Sequence, residues 1–173
     1  GVQTCALPIS RVKKMLNSGM IILGVDAPQG WCALDLELGR GKVLGLGSLD
    51  SGSEATELDR YLKRFCPALV VIERSEEVYA YGRGDDAPAH IRRDVSRGLI
   101  ATAEVAGELK HVCRVANIRC VMTDAAHIRK MFGIKGKDRK TRDNTVAREV
   151  ALRVHNWPAR SNTHERDAAL AAI

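Results

Sequence analysis

The sequence predicts an α/β domain built on a mixed five-stranded sheet, with three strands in an antiparallel meander, two more in parallel, and helices on both faces. Three observations lead there. Apolar runs of strand length, "MIILGVDA", "ALVVIE" and "IRCVMT", recur along the chain and are bounded by polar, turn-forming residues. Between them lie amphipathic stretches with apolar residues three and four apart, as expected of helices that cover a sheet. The first run is followed at once by two further strand-like segments joined by short turns, which makes a meander before any crossover begins.

Each element has its own reason. "MIILGVDA" is a continuous apolar run of buried-strand type, whereas "WCALDLEL" alternates at its far end as a half-exposed strand does. "GRG" supplies turn residues, and "KVLGLGSL" is the third strand. Ser51 and Glu54 have capping-box spacing ahead of "EATELDRYLKRF", where Leu58, Tyr61, Leu62 and Phe65 share a helical face and Pro67 ends the helix. "ALVVIE" is a short buried strand. A polar loop rich in Gly, Asp and Tyr then leads to a long helix from about Pro88 to Val115. After the strand "IRCVMT", Thr123 or Asp124 caps "AAHIRKMF". The basic, glycine-punctuated "GIKGKDRKTRD" precedes the amphipathic helix "NTVAREVALRVHN", with Val146, Val150 and Val154 on one face. "WPARSNT" leads into a last helix, "HERDAALAAI". Strand-helix-strand crossovers after a meander yield the mixed sheet.

The 173 residues predict one domain, burying roughly 70% of the unfolded surface. Five cysteines without a C-x-x-C pair or His/Cys ligand spacing argue against a disulfide framework and a structural zinc site. Cys32, Cys66, Cys113 and Cys120 are read as small hydrophobes in a reducing compartment. No apolar run reaches the ~18 residues a membrane span requires, so no membrane partner is expected. A formal charge of +6 and a pI near 9.2 favour a polyanionic partner. "GVQTCALPI" lacks the basic start and apolar length of a signal peptide. Back-translated as GGA GTT CAG ACG TGT GCT CTT CCG ATC, it resembles a short-read sequencing adapter. About residues 1–10 are therefore expected to be read-through within a non-native or disordered leader over residues 1–19, with the natural start at Met20 or at a residue upstream that was lost. The chain stops inside its last helix, which we read as a C-terminal truncation. The domain proper is 20–173.

The chemistry is expected where strands end on acids. Asp26 closes the first strand and Glu73 the fourth, and ligands of open α/β sheets gather at the carboxyl ends of neighbouring parallel strands. If these two strands are adjacent, both side chains enter one crevice, where like charges persist only with a proton or a cation between them. His164 and Asp167, three residues apart near the start of the last helix, share a face and supply further ligands. One Asp, one Glu and a His-x-x-Asp pair make an oxygen-rich set suited to Mg2+ or Mn2+ rather than to tetrahedral zinc. Two such ions would serve phosphodiester hydrolysis. Blander readings exist for each part taken alone: Asp26 as a turn residue, Glu73 as a strand-end partner of Arg74, and His164 as a helix cap.

"IILGVDAPQGW", "ALVVIER", "SRGLIATAEVAGEL", "AAHIRKMFGIKGKDRKTRDNTV" and "HERDAALAAI" resemble, in this order, the motifs of the RuvC-type Holliday-junction resolvases, which have the RNase H-like fold. The resemblance covers nearly all of residues 20–173. It implies a dimeric, magnesium-dependent endonuclease that cuts branched DNA, with Asp26, Glu73, His164 and Asp167 in the metal-binding positions. "HERDAALAAI" is similar to the members that carry histidine third in the set. The implied compartment is the cytoplasm, for a bacterial or phage-encoded protein. The alternatives are a non-cleaving nucleic-acid-binding domain of the same fold, and a related nuclease acting on flaps, transposon ends or RNA-DNA hybrids. An actin-like phosphotransferase ranks low, because the later half has no glycine-rich phosphate loop.

Three departures from the family pattern stand out. Asp-Ala-Pro-Gln-Gly-Trp is shorter than the usual turn, so the turn after the first strand must differ. Glu76 stands where the family has an aromatic, although Tyr79 and Tyr81 are near and are suited either to stacking on an unpaired base or to packing. The basic segment is one residue longer. It holds five cations against one acid between Lys135 and Arg142, namely Lys135, Lys137, Arg139, Lys140 and Arg142. With Arg129 and Lys130 just before it, and Arg92, Arg93 and Arg97 on the long helix, it is expected to grip phosphates without reading sequence. "LIATAEVAGEL" suits close packing in the core or across a dimer interface.

Overall fold

The computed structural model describes residues 19–27, 29–37, 40–74, 89–135 and 138–173. Strands β1 (Met20–Asp26), β2 (Gly30–Glu37) and β3 (Arg40–Ser48) are followed by helix α1 (Glu54–Phe65) and strand β4 (Leu69–Arg74). Then come α2 (Ala89–Val115), β5 (Cys120–Asp124), α3 (Ala125–Met131), α4 (Arg139–Arg153), β6 (Val154–His155) and α5 (Thr163–Ala172). The sheet has the order β5-β4-β1-β2-β3-β6. β1, β2 and β3 form the antiparallel meander, while β4 pairs parallel with β1 and β5 parallel with β4.

The sheet has six strands where five were expected. Val154 and His155 leave the helical pattern after Arg153 and pair parallel with Gly41 and Lys42 of β3, covering the start of an edge that would otherwise present unpaired backbone groups. Other boundaries also move. The predicted turn residues Arg40 and Gly41 belong to β3, because Arg40 pairs with Glu37 and Gly41 with Leu36. The capping box of Ser51 and Glu54 does not form. Ser53 occupies the cap position, and the acids of the first turn reach backwards instead: Gly52 N–H donates to Glu54 and Asp50 N–H to Glu57. Asp124, not Thr123, caps α3 by accepting from His127 N–H at 2.7 Å. Asp138 caps α4, accepting from the N–H and the hydroxyl of Thr141 at 2.8 Å each, so that helix begins five residues before Asn144.

Strand parity sorts the core. Leu23, Val25 and Ala27 of β1, with Val70 and Ile72 of β4, point to one face, where Leu58 and Leu62 of α1 and Ala106, Leu109 and Cys113 of α2 cover them. Trp31 lies there too, stacked on Tyr61 at 4.1 Å between ring centroids. Ile22, Cys32 and Leu34 face the other way, against Val146 and Val150 of α4 and Ala168, Ala169 and Ala172 of α5. With a period of two along each strand, Asp26 shares the α5 face with Ile22. The "LIATAEVAGEL" run divides, with Ala106 and Leu109 buried and Ile100 exposed. Cys32 and Cys113 are buried as expected, whereas Cys66 is exposed at the end of α1.

Helix α5 comes close to the sheet where Gly24 of β1 offers no side chain beneath it. A Cβ placed on Gly24 would stand 1.9 Å from the carbonyl oxygen of Ala168. Backbone cannot yield as a flexible side chain does. Gly24→Ala is expected to lower stability by about 1–3 kcal/mol in urea unfolding, whereas Gly107→Ala, in open space on α2, is expected to raise it by about 0.5–1 kcal/mol.

Candidate active site

The site begins with strand register. Asp26 and Glu73 are direct partners across the parallel pair β1–β4, and partners in register point to the same face. Both acids therefore project from the carboxyl ends of adjacent strands towards α5. Ala27 N–H donates to the Glu73 carbonyl at 3.2 Å and ties the two strand ends together. Glu73 is buried. The short turn after β1 closes at once: Gly30 pairs with Asp26, and Gln29 N–H donates to the Asp26 carbonyl at 2.7 Å. Asp26 thus serves the turn through its backbone, while its carboxylate points at the helix.

Helix α5 brings the other two residues. Asn162 and Glu165 form a reciprocal capping box. Arg166 clamps the preceding chain through the hydroxyl and carbonyl of Ser161, at 2.9 and 2.6 Å. A Cβ on Gly30 would meet the His164 backbone at 2.6 Å, so β2 also presents bare backbone to this helix. The result is direct contact between residues 138 positions apart: His164 Nδ1 lies 2.6 Å from Asp26 Oδ2. An ionised carboxylate only accepts, so the proton of this bond sits on Nδ1, and in the neutral ring the lone pair sits on Nε2.

Asp167 completes the group electrostatically. Burial, and then the like charge of Asp26, push its carboxyl up to about 6, with Asp143 adding to the rise and Arg129 and His164 opposing it. Asp26, His164 and Asp167 therefore share one field, while Glu73 is placed beside Asp26 by register. Sequence reading missed two members of this neighbourhood. Asp143 stands three and seven residues before the buried Val146 and Val150 of α4, a carboxylate in line with an apolar stripe, and that spacing was its signal. Arg129 reads from the sequence only as a DNA-facing cation, although its charge acts on Asp167.

The predicted DNA-contact residues fall in several places. Lys130, Lys135 and Lys140 are exposed and Arg142 is half-buried. Arg139 to Arg142 form the first turn of α4 rather than a loop. The neighbouring Asp143 acts on Asp167, which places that turn at the acidic end of the sheet. Arg92, Arg93 and Arg97 are on α2, but their side chains, like that of Arg139, lie outside the described residues. Lys137, Tyr79 and Tyr81 lie wholly outside them.

Among the described residues no set of three or more His, Cys, Asp or Glu side chains is arranged to close on one ion. The donor chemistry nonetheless fits a divalent cation. The set is rich in oxygen, and a carboxyl held away from ionisation by burial and a like charge is a group that a cation would stabilise.

The fold has solved counterparts. Thermus thermophilus RuvC in complex with a Holliday-junction substrate superimposes with a TM-score of 0.62 at 18% identity, over 88% of this chain and 90% of that one. The fold is that of RuvC. A second Thermus thermophilus RuvC structure matches with a TM-score of 0.59 at 16% identity, over 88% and 91% of the two chains. No protein-family model and no curated protein matches the sequence. The RuvC, RNase H-like architecture expected from the ordered motifs is therefore present, in a sequence far from those RuvC chains.

The Asp167 shift has a definite sign. A carboxyl whose folded pKa exceeds its ordinary value binds its proton more tightly in the folded state, so folding loses stability as pH rises from about 4 towards 6. Urea midpoints of the metal-free protein should show Asp167→Asn gaining on the parent through this window and holding its lead above pH 6. A difference independent of pH would contradict the placement of Asp167 beside Asp26.

Proposed function

We propose that this chain is a divalent-metal-dependent endonuclease that hydrolyses phosphodiester bonds in branched DNA, with the four-way junction as its substrate. One observation carries the reading most: Asp26 and Glu73 stand in register on adjacent parallel strands, and α5 holds His164 against Asp26 with Asp167 in the same field. Carboxylates clustered at the open end of a sheet cost stability unless they serve a ligand. The likeness to a RuvC structure bound to a Holliday junction supports the choice of substrate.

In this reading Mg2+ or Mn2+, as two ions, is held by Asp26, Glu73, Asp167 and His164. Bound there, the ions would activate a water and stabilise the leaving oxygen. The protein's own residues do the rest. The Asp26–His164 bond fixes the tautomer and orientation of the imidazole, as outer partners of ligand histidines do. Burial of Glu73 keeps bulk water from one side of the site. Arg129 limits the repulsion that Asp143 and Asp26 impose on Asp167. Lys130, Lys135, Lys140 and Arg142 grip the phosphates that flank the scissile one, without reading bases. Lys137, Arg139, Arg92, Arg93, Tyr79 and Tyr81 are assigned to the same surface from the sequence alone. A homodimer, with one site for each of two strands, completes the proposal.

Asp26→Asn and Glu73→Gln should each slow nicking of a four-way junction by more than about a hundredfold, equivalent to ~2.7 kcal/mol of barrier, while junction binding persists. EDTA should abolish cutting, and Mg2+ or Mn2+ should restore it. A parent protein that binds the junction but never nicks it in Mn2+ would favour the non-cleaving alternative. Replacing Lys135, Lys140 and Arg142 together by Ser should reduce the slope of log affinity against log salt by about 0.9 for each phosphate no longer neutralised.

A further inference from the structure

At the other end of the sheet lies chemistry that phosphodiester cleavage does not use. Strand β5 starts at Cys120, at the opposite end from the acids that close β1 and β4. The Cys120 side chain packs against the core cluster that contains Cys113 of α2, and each thiol is the first influence on the other's ionisation. The connection between them is short and pinned. Ile118 N–H donates to the Cys113 carbonyl at 2.9 Å, Asn117 takes a left-handed conformation with φ 55°, and Val70 N–H donates to the Arg119 carbonyl at 2.9 Å.

The two cysteines differ in access. Cys113 is fully buried. Cys120 lines an open surface concavity of about 710 Å³ together with Lys110, His111, Arg114 and Arg119, and no carboxylate lines it. A basic, accessible setting favours the thiolate, which is the reactive form. We propose that Cys120 and Cys113 are a peroxide-reactive dithiol, Cys120 being the attacking thiolate and Cys113 the resolving thiol. The Cys120 thiolate attacks one oxygen of a hydroperoxide and breaks the O–O bond, giving the sulfenic acid and releasing hydroxide or alkoxide. The Cys113 sulfur then attacks the sulfenic sulfur, its proton leaves with the departing hydroxyl as water, and a Cys113–Cys120 disulfide remains. The peroxide is reduced by two electrons and the thiol pair is oxidised by two.

The remaining described thiols are internal controls. The neighbouring Cys113 thiol, and then Lys110, draw the Cys120 thiol down despite its partial burial, while Cys113 is pushed up by Cys120 and by burial. Burial pushes the Cys32 thiol up to about 12, with Glu165 adding to it. Cys66 is more exposed than Cys120 and has no second thiol to resolve it among the described residues.

The test is substoichiometric hydrogen peroxide on the reduced protein, followed by alkylation and peptide mass spectrometry. The expected product is a Cys113–Cys120 cross-linked peptide, 2 Da lighter than the two thiols and reversed by dithiothreitol, formed about tenfold faster than oxidation at Cys66. In Cys113→Ser, dimedone should trap a sulfenic acid at Cys120. Lys110→Gln, a surface change, should slow the reaction of Cys120 and leave Cys66 unaffected. Oxidation of Cys66 first, or conversion of Cys120 to sulfinic acid in the parent without a cross-link, would overturn the proposal. The parent measurement is sufficient by itself should a buried Cys113 variant fail to fold.

Discussion

The close approach of α5 to the sheet is the constraint on which the candidate site depends. A helix normally rides on side chains, and the distance they impose would hold His164 and Asp167 away from the strand ends. Here Gly24 of β1 and Gly30 of β2 remove those side chains at the points where the Ala168 carbonyl and the His164 backbone come down. The small residues Ala168, Ala169 and Ala172 continue the contact. Close packing of this kind tolerates little added volume. It converts two sequence-distant segments into a 2.6 Å contact between Asp26 and His164.

That contact has electrostatic consequences. Asp26 is bonded to His164 and repels Asp167, whose carboxyl, raised first by burial and then by that like charge, resists ionisation. Glu73, the register partner of Asp26, adds a buried acid at the same strand ends. Fold stability alone is not served by concentrating carboxylates in this way, because burial and like charge both oppose the ionisation of Asp167. The arrangement makes physical sense when something positive is to be received there. Arg129 offsets part of the repulsion on Asp167, and further cations follow it in the segment that leads into α4. Cationic side chains near an acidic centre suit a polyanion that must be held while one of its phosphates meets that centre.

The two ends of the sheet therefore differ in chemistry. Carboxylates and one histidine gather where β1 and β4 finish, whereas β5 begins at Cys120, packed against the cluster that holds Cys113 and beside a group of cations. Cysteines read from composition as small hydrophobes divide into buried Cys32, exposed Cys66, and Cys113 with Cys120, which meet at one core cluster. Their spacing along the chain carries no sign of that meeting, because a helix end, a turn and a strand start must first be folded to set Cys120 against the cluster that holds Cys113.

Much of the architecture was legible because local periodicity and turn chemistry govern it. The strand runs, the apolar face of α1 and a helix start at Thr123 or Asp124 follow from residue spacing alone, and the order of the motifs pointed to the RuvC fold. Asp26, Glu73, His164 and Asp167 were recognisable as acids and a histidine at the ends of regular elements. Boundaries were less legible where a long-range partner decides them: β6 exists because the edge of β3 accepts it, and α4 starts early because Asp138 finds Thr141. Asp143 and Arg129 joined the site only through packing. By itself, then, the sequence determined most of the strands and helices, β6 excepted, and which residues carry charge, since those depend on neighbours a few positions away. Only the tertiary structure decided which charges face one another, because that depends on how near two backbones can come, and here two glycines let them touch.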